Sequence, residues 1–321
     1  MKVKRMKNEK AFFGVVVLAL CLVVAGCSPK ISGVVRNDSS VTGIEDQLAP
    51  GGKYTGPKLR VGVVNFQNKT PSRVMGIGEA AADILCTILQ KTGRFIVIPQ
   101  QDMASILKQQ SLGASGVIDP ATAAKMGKIL GLNAIVTGAI TAYSEVEEGQ
   151  DLLVYKQKKQ VARVTVDYRI VDTTTGVQIM ADSGQGVYSK STGGVLGLGA
   201  KSSYDTDLRD GALRDALTKA MVNMLAQLEE KEWSGRIAGI KGNMVYINAG
   251  KKTGLKVGDI LVVQELGDKI IDPQTGVPIG YAPGRIKGEL MVTSFFGNDG
   301  SVAVVRSGAG FRVNDIVKLK K

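Results

Sequence analysis

The segment VARVTVDYRIV, residues 161–171, passes through TTTG at 173–176 into VQIMADSGQGVY at 177–188. Apolar and polar residues alternate through its first part, and many are β-branched, the pattern of a strand with one buried face. Thr173 to Gly176 is a turn, and Val177 to Tyr188 returns as the partner strand. An antiparallel hairpin at this point matters because the elements before it alternate strand with helix. The fold class it implies is α/β with a mixed sheet.

Working backwards, LRVGVVNF at 59–66 is a near-continuous apolar run, as expected of a strand covered on both faces. A polar loop, Gln67 to Arg73, leads to a helix over 77–91. Ile77, Ala81, Ile84, Leu85, Ile88 and Leu89 make one apolar face of it, and Gly93 ends it. A strand at 95–98 and a helix at 102–109 follow. Asp119-Pro120 then supplies an N-cap and a first-turn proline for a helix to Leu130. NAIVTGAITAY, 133–143, is the third strand. Beyond the hairpin lies a glycine-rich patch, 193–199, then a helix over 206–230 with Leu213, Leu217, Met221, Met224, Leu225 and Leu228 inward. The order βαβααβββα assigns residues 58–231 to one α/β domain.

Glu229 to Glu232 and Trp233 mark a boundary. Residues 232–321 read as all β, with strands near 235–240, 244–248, 259–265, 286–294, 301–306 and 315–319 between Gly, Asn and Pro turns. GLKVGDI at 254–260 is echoed by GFRVNDI at 310–316. Gly258 and Asn314, the residue types most tolerant of positive φ, hold the same place before Asp. Six short strands suggest a small barrel, SH3-like or related.

The N-terminus has a basic start, Met1 to Lys10, and an apolar run, Ala11 to Val24. That run is shorter than the roughly 20 residues a membrane span needs, and it fits a signal-peptide core. Val24-Ala25-Gly26-Cys27 looks like a bacterial lipobox. In that pattern cleavage falls between Gly26 and Cys27, the Cys27 thiol takes a diacylglycerol, and the new amine takes a third acyl chain. Residues 1–26 are then a signal peptide, and residues 27–57, rich in Gly, Ser, Pro and Asn, a flexible tether. Ser28 lacks the aspartate that retains enterobacterial lipoproteins in the inner membrane. By that resemblance the expected location is the periplasmic face of the outer membrane.

Composition narrows the chemistry. The chain contains no histidine, which removes the commonest general base and metal ligand. Cys21 leaves with the signal and Cys27 is acylated, so only Cys86 remains, on an apolar helix face where a buried, inert thiol is expected. No catalytic, metal or cofactor site is expected, and the protein is read as a non-enzyme. The formal charge is +12, and the first 26 residues carry five Lys/Arg and one Glu, leaving +8. The charge fits either dispersed solubilising residues or a counter-surface of anionic lipid, lipopolysaccharide or an acidic partner, and nucleic acid is not expected. Gly76-Ile77-Gly78 stands between strand and helix as a dinucleotide fingerprint would. Ala81 holds the third glycine position and Pro99 ends the next strand, so ordinary loop-to-helix capping is the reading.

Four stretches carry a family resemblance: LRVGVVNFQNKT, GEAAADILCTILQKTGRFIVI, GLNAIVTGAITAY and VDYRIVDTTTGVQIMADSGQG. With the lipobox, residues 58–228 resemble the CsgG/HfaB family, whose best-known member is the curli secretion lipoprotein. The C-terminal part resembles the small β-domain of FlgT-type flagellar proteins. The resemblance implies a periplasmic α/β domain tethered to the outer membrane and often assembled as a ring. In the curli member, two long hairpins per protomer join a shared transmembrane barrel, and here they would fall at 144–160 and 177–205. Residues 144–160 carry Glu145, Glu147, Glu148, Asp151, Lys156, Lys158 and Lys159, on both faces of a strand, where a lipid-facing charge costs about 2–4 kcal/mol. The first segment is therefore expected to be a solvent-exposed hairpin, and Gly193 to Ala200 within the second a flexible glycine loop. The expected function is export, anchoring or assembly of a surface structure, by a homo-oligomer meeting other envelope or secretion proteins. The alternative is a monomeric LpoB-like lipoprotein that controls an envelope enzyme.

Overall fold

The computed structural model describes residues 32–34, 54, 56–71, 74–109, 120–152, 155–195, 206–274, 278–282 and 284–320. The N-terminal half of the chain gives β1 (Ser32–Val34), β2 (Leu59–Val63), β3 (Gln67–Asn68), α1 (Ile77–Lys91), β4 (Phe95–Pro99), α2 (Gln100–Gln109) and α3 (Pro120–Leu130). Then come β5 (Ala134–Leu152), β6 (Tyr155–Asp172), β7 (Gln178–Val195) and α4 (Thr206–Glu230). The strands form one sheet in the order β1-β7-β6-β5-β2-β4, with β3 paired to β5. β2 lies parallel to β4 and β5, while β5, β6 and β7 form an antiparallel meander. The sheet is thus mixed, as the hairpin within an alternating chain implied.

Helices cover both faces of its central part. On one face α1 lies over β2 and β4, α4 lies over β6 and β7, and the two helices pack together. The six apolar α1 positions read from the sequence are all buried there, beside Leu213, Leu217, Met221 and Met224 of α4. On the other face Met103 of α2 and Ala123 and Met126 of α3 meet Val64, Leu132, Ile135 and Val171. Asp119, the expected N-cap of α3, lies outside the described residues. Gly78 explains the Gly-Ile-Gly motif, because a Cβ there would sit 1.7 Å from the Phe66 carbonyl oxygen. The glycine serves loop-to-helix packing.

The C-terminal part contains β8 (Gly235–Lys241), β9 (Met244–Ile247), β10 (Ile260–Gln264), β11 (Lys269–Ile271), β12 (Pro278–Tyr281), β13 (Ile286–Phe296), β14 (Gly300–Gly308) and β15 (Ile316–Leu319). Six of these close a barrel in the order β10-β13-β14-β9-β8-β15, and the six are the strands read from the sequence. β11 and β12 form a separate hairpin that the residue pattern does not signal.

The echoed heptads explain the closure. Asp259 accepts from the Lys256 N–H and Asp315 from the Arg312 N–H, both at 2.7 Å. Gly258 and Asn314, at φ 95° and 74°, donate to the carbonyls of Val292 in β13 and Ile237 in β8. Each half is a hairpin, an echo turn and one more strand: β8–β9 then β10, and β13–β14 then β15. The third strands are exchanged, β10 pairing with β13 and β15 with β8, while β10 and β15 pair with each other. The barrel is an internal duplication with swapped strands around an approximate twofold axis.

The barrel is latched to the sheet. Arg60 of β2 reaches Asp299, in the β13–β14 turn, at 2.6 Å, and Asp299 also accepts from the Thr253 hydroxyl at 2.6 Å. Asn133 accepts from the Arg60 N–H and donates to the Ser234 carbonyl. One apolar core runs from the sheet through Trp233 into the barrel.

Candidate functional site: a three-stranded arm

The meander is much longer than the helices that cover it. β5, β6 and β7 have 19, 18 and 18 residues, and 18 residues of antiparallel strand span about 60 Å. In β6 the alternate residues Ala162, Val164, Val166, Tyr168 and Ile170 are buried on the face that α4 covers, while Arg163, Asp167 and Arg169 point the other way and are exposed. α4 comes down on β7 because Gly184 and Gly186 leave room for it. A Cβ on Gly186 would sit 2.0 Å from the Ala212 carbonyl oxygen. The hydroxyl of Tyr168 donates to the Ala220 carbonyl at 3.1 Å and fixes α4 across the sheet. Burial, with the Asp182 carboxylate nearby, pushes the Tyr168 hydroxyl well above its usual value. Hydrogen bonds from Asn223 and the Ser183 N–H hold Asp182 below the usual carboxylate range. These groups are structural.

Past Ser144, Gln160 and Ser189 the three strands run on as an arm, and β5 and β6 stay paired through Leu152↔Tyr155. The expected hairpin at 144–160 is thus present, and its register sets Glu148 opposite Lys159 and Asp151 opposite Lys156, while Glu145, Glu147 and Lys158 stand opposite Ala162, Gln160 and Gly149. Directly opposed unlike charges contribute about 0.2–1 kcal/mol per pair. The second segment requires a correction. Gly193 to Val195, expected in a flexible loop, belong to β7 and pair with Tyr155 to Gln157. Ladder bonding to β6 keeps them extended although glycine favours no strand; residues 196–205 lie outside the described residues. β1 adds a fourth strand to the arm, with Ser32 opposite Ser191 and Val34 opposite Ser189. A lone three-residue strand without alternation carries no sequence signal, so these residues read as tether.

A second feature is the groove at the joint, of about 720 Å³, between Tyr54, Leu59, Phe95, Trp233, Val262 and Ile286. Arg94 stacks 5.7 Å from the Tyr54 ring centre and pairs with Glu229, while Lys318 pairs with Glu232.

Gly26 and Cys27, the processing and lipidation positions, lie outside the described residues. Cys86 is half-buried rather than fully buried. Burial, with Asp83 nearby, pushes its thiol up to about 11, so it stays protonated and poorly nucleophilic at neutral pH. Among the described residues no group of three or more Asp, Glu or Cys could hold a metal ion, and no helix is long and apolar enough to cross a membrane.

A mixed sheet with a long antiparallel arm, followed by a barrel, defines the class. The family model described as "Curli production assembly/transport component CsgG" matches residues 50–257, more than half the chain. The chain belongs to the CsgG family. A protein of Neisseria meningitidis serogroup B named as a lipoprotein is 26% identical over 227 residues, which cover 67% of this chain and 97% of the relative. Similar solved structures include a lipoprotein from Neisseria meningitidis, 18% identical, covering 52% of this chain and 98% of that one at a TM-score of 0.32. The LpoB C-terminal domain from Escherichia coli is 14% identical, covering 46% of this chain and 92% of that one at a TM-score of 0.31. A PelC dodecamer from Paraburkholderia phytofirmans is 14% identical, covering 51% and 92% at 0.26. At these scores the structural likenesses carry no argument about function.

Proposed function

We propose that the chain is a non-enzymatic lipoprotein, cleaved before Cys27 and held by acyl chains on the periplasmic face of the outer membrane. It acts as a ring-forming homo-oligomer in export, anchoring or assembly of a surface structure, with other envelope or secretion proteins as partners. The supporting observation is the arm: within a CsgG-family domain, three paired strands continue well past the core that folds them. A chain does not keep about 18-residue strands for stability alone, since strands of five or six residues are the norm. The working division is a CsgG-like domain over 58–231 and a small β-domain over 232–321, SH3-like and FlgT-type in pattern, which adds a surface for a further partner.

Native mass spectrometry or negative-stain microscopy of detergent-extracted protein tests the reading. A closed ring is expected; a monomer overturns it and favours the LpoB-like regulator. Cys27→Ser should leave the protein soluble, or uncleaved at the inner membrane. If the variant still fractionates with the outer membrane, the acyl chains are not the anchor.

A further inference from the structure

The barrel has no free edge, so a partner meets it through side chains on its outer wall. Val245, Leu261, Leu290, Val292 and Ala303 fill the inside, and alternation turns their neighbours outward. One outward rung is apolar across four strands. Ile260 of β10 is registered with Met291 of β13, Met291 with Val304 of β14, and Val304 with Met244 of β9. The next outward row holds Tyr246 opposite Val302. In the row beyond, Phe296 is opposite Gly300, where a Cβ would sit 2.6 Å from the ring. The glycine lets the ring lie over the strand, and the ring meets Tyr246 edge-on at 5.5 Å. Met244, Met291 and Phe296 are nonetheless 45%, 38% and 44% exposed. Four strands spaced by about 4.8 Å and three rows spaced by about 7 Å give a footprint on the order of 400 Å². Apolar patches of that size mark interaction sites.

The rim of this patch is basic. Lys241 faces Met244 across the β8–β9 pairing. The Lys320 N–H donates to the Ile260 carbonyl, which sets that lysine at the β15 side. Arg306 follows Val304 by two residues, and Lys252 donates to the Asn298 side chain in the turn beyond Phe296. The acidic residue among them, Glu289, is shared by Lys320 and Arg306. Asp259 and Asp299, at the two ends, are turned to the Lys256 N–H and to Arg60 and Thr253.

We propose that the β9–β14–β13 wall of the barrel is the docking surface for a short segment of a partner protein in which apolar residues are flanked by Asp or Glu. This rests on the reading of the β-domain as a surface for a further partner, and it names the surface and the partner's chemistry. Methionine and aromatic side chains suit such a contact, because they adapt in shape and bring a large apolar area. A second copy is disfavoured. The patch facing itself would set one basic rim against another, and its footprint is about half of the roughly 800 Å² that each partner of a stable complex buries. Lipid is disfavoured because Phe296 is held on the wall by Gly300 and Tyr246 and offers no wedge to insert. The apolar rung takes the segment's apolar side chains, and Lys241, Arg306 and Lys320 meet its carboxylates.

The test uses the detergent-extracted full-length protein, immobilised, and a phage-displayed library of random dodecapeptides. Peptides that hold this protein but not its Met244→Ser, Met291→Ser double variant are sequenced and remade with a fluorophore. They should combine apolar residues with Asp or Glu. Fluorescence anisotropy should show affinity lower by about tenfold for Met291→Ser alone, as for loss of a central anchor. Lys241→Glu should weaken binding about threefold and reduce its salt dependence. Circular dichroism confirms that each variant is folded. The proposal is overturned if no peptide separates the two proteins, or if those that do lack acidic residues. A smaller assembly for Met291→Ser in native mass spectrometry also overturns it, since a second copy then covers the patch. So does a blue shift of a fluorophore on Met244→Cys, in a Cys86→Ala background, in phosphatidylethanolamine–phosphatidylglycerol vesicles, since lipid then covers it. The unchanged protein separates this proposal from the ring. A monomer that binds the acidic peptides sinks the ring and keeps the docking surface, whereas a ring that selects no such peptides sinks the docking surface alone.

Discussion

The arm and the barrel are built from the same antiparallel ladders, yet β5 to β7 have 18–19 residues while the barrel strands have 4–11. The barrel closes on itself, so none of its six strands has a free edge, and its inward residues, such as Val245, Leu261, Leu290, Val292 and Ala303, form one apolar filling. Among the described residues the meander has helices over one stretch only, and beyond it the strands are held by ladder bonds. Closure removes the need for a partner. The two regions therefore differ in shape although they share one kind of ladder: one is closed, the other is open.

The comparison breaks most sharply where the two regions join. Arg60→Ala leaves the Asp299 carboxyl, 7% exposed, without its cation, and breaking such a pair costs about 3 kcal/mol or more. Calorimetry should then show two separated transitions where the intact chain shows one. Burial pushes the Asp299 carboxyl up, but hydrogen bonds from Thr253 and Arg60 outweigh it and hold it below the usual value. A depressed folded value means that the contribution is complete above the unfolded pKa of about 4 and is lost as pH falls through the folded value. The joint should loosen in acid, and Asp299→Asn should flatten that part of the stability–pH curve.

A smaller effect separates the sheet from the barrel. Gly186→Val drives a side chain against the α4 backbone and should cost about 2–3 kcal/mol. Hydrogen exchange should show protection lost in β7 and α4 but kept in β10 and β15. On the barrel side, Asn314→Ala puts an ordinary residue at φ 74° and should cost about 1 kcal/mol in urea unfolding. Asn314→Gly should be near neutral, because Gly258 already does the same work in the other half. The least costly change is on the arm. Glu148→Lys opposes two lysines across one rung and should cost about 0.5 kcal/mol. It should be visible as faster proteolysis of the arm, and Lys159→Glu in the same chain should restore the original rate.

Much of this architecture is legible in the residues themselves. The alternation in 161–171, the apolar face of 77–89 and the echo of GLKVGDI in GFRVNDI each encode local geometry, and each reappears where its pattern falls along the chain. The arm is legible only in part. Residues 144–160 are too charged for lipid when one strand is considered alone, but a charge's meaning depends on what lies across the ladder. Register turns Glu148 and Lys159 from a scatter of charges into a pair. Gly193 to Val195 carry the composition of a loop because glycine has no strand preference, and pairing with β6 overrides that composition.

The sequence by itself determined the long helices, the barrel strands and the central strands with their order, the absence of imidazole chemistry and the expectation of a lipid at Cys27, since all of these depend on residue type and on spacing along one segment. The tertiary structure alone decided which barrel strands are exchanged, that Arg60 finds Asp299 from 239 residues away, and that Ser32 lies beside Ser191. Those pairings join segments whose separation in sequence carries no periodic signal. They are chosen by the whole sheet, which sets one register at a time.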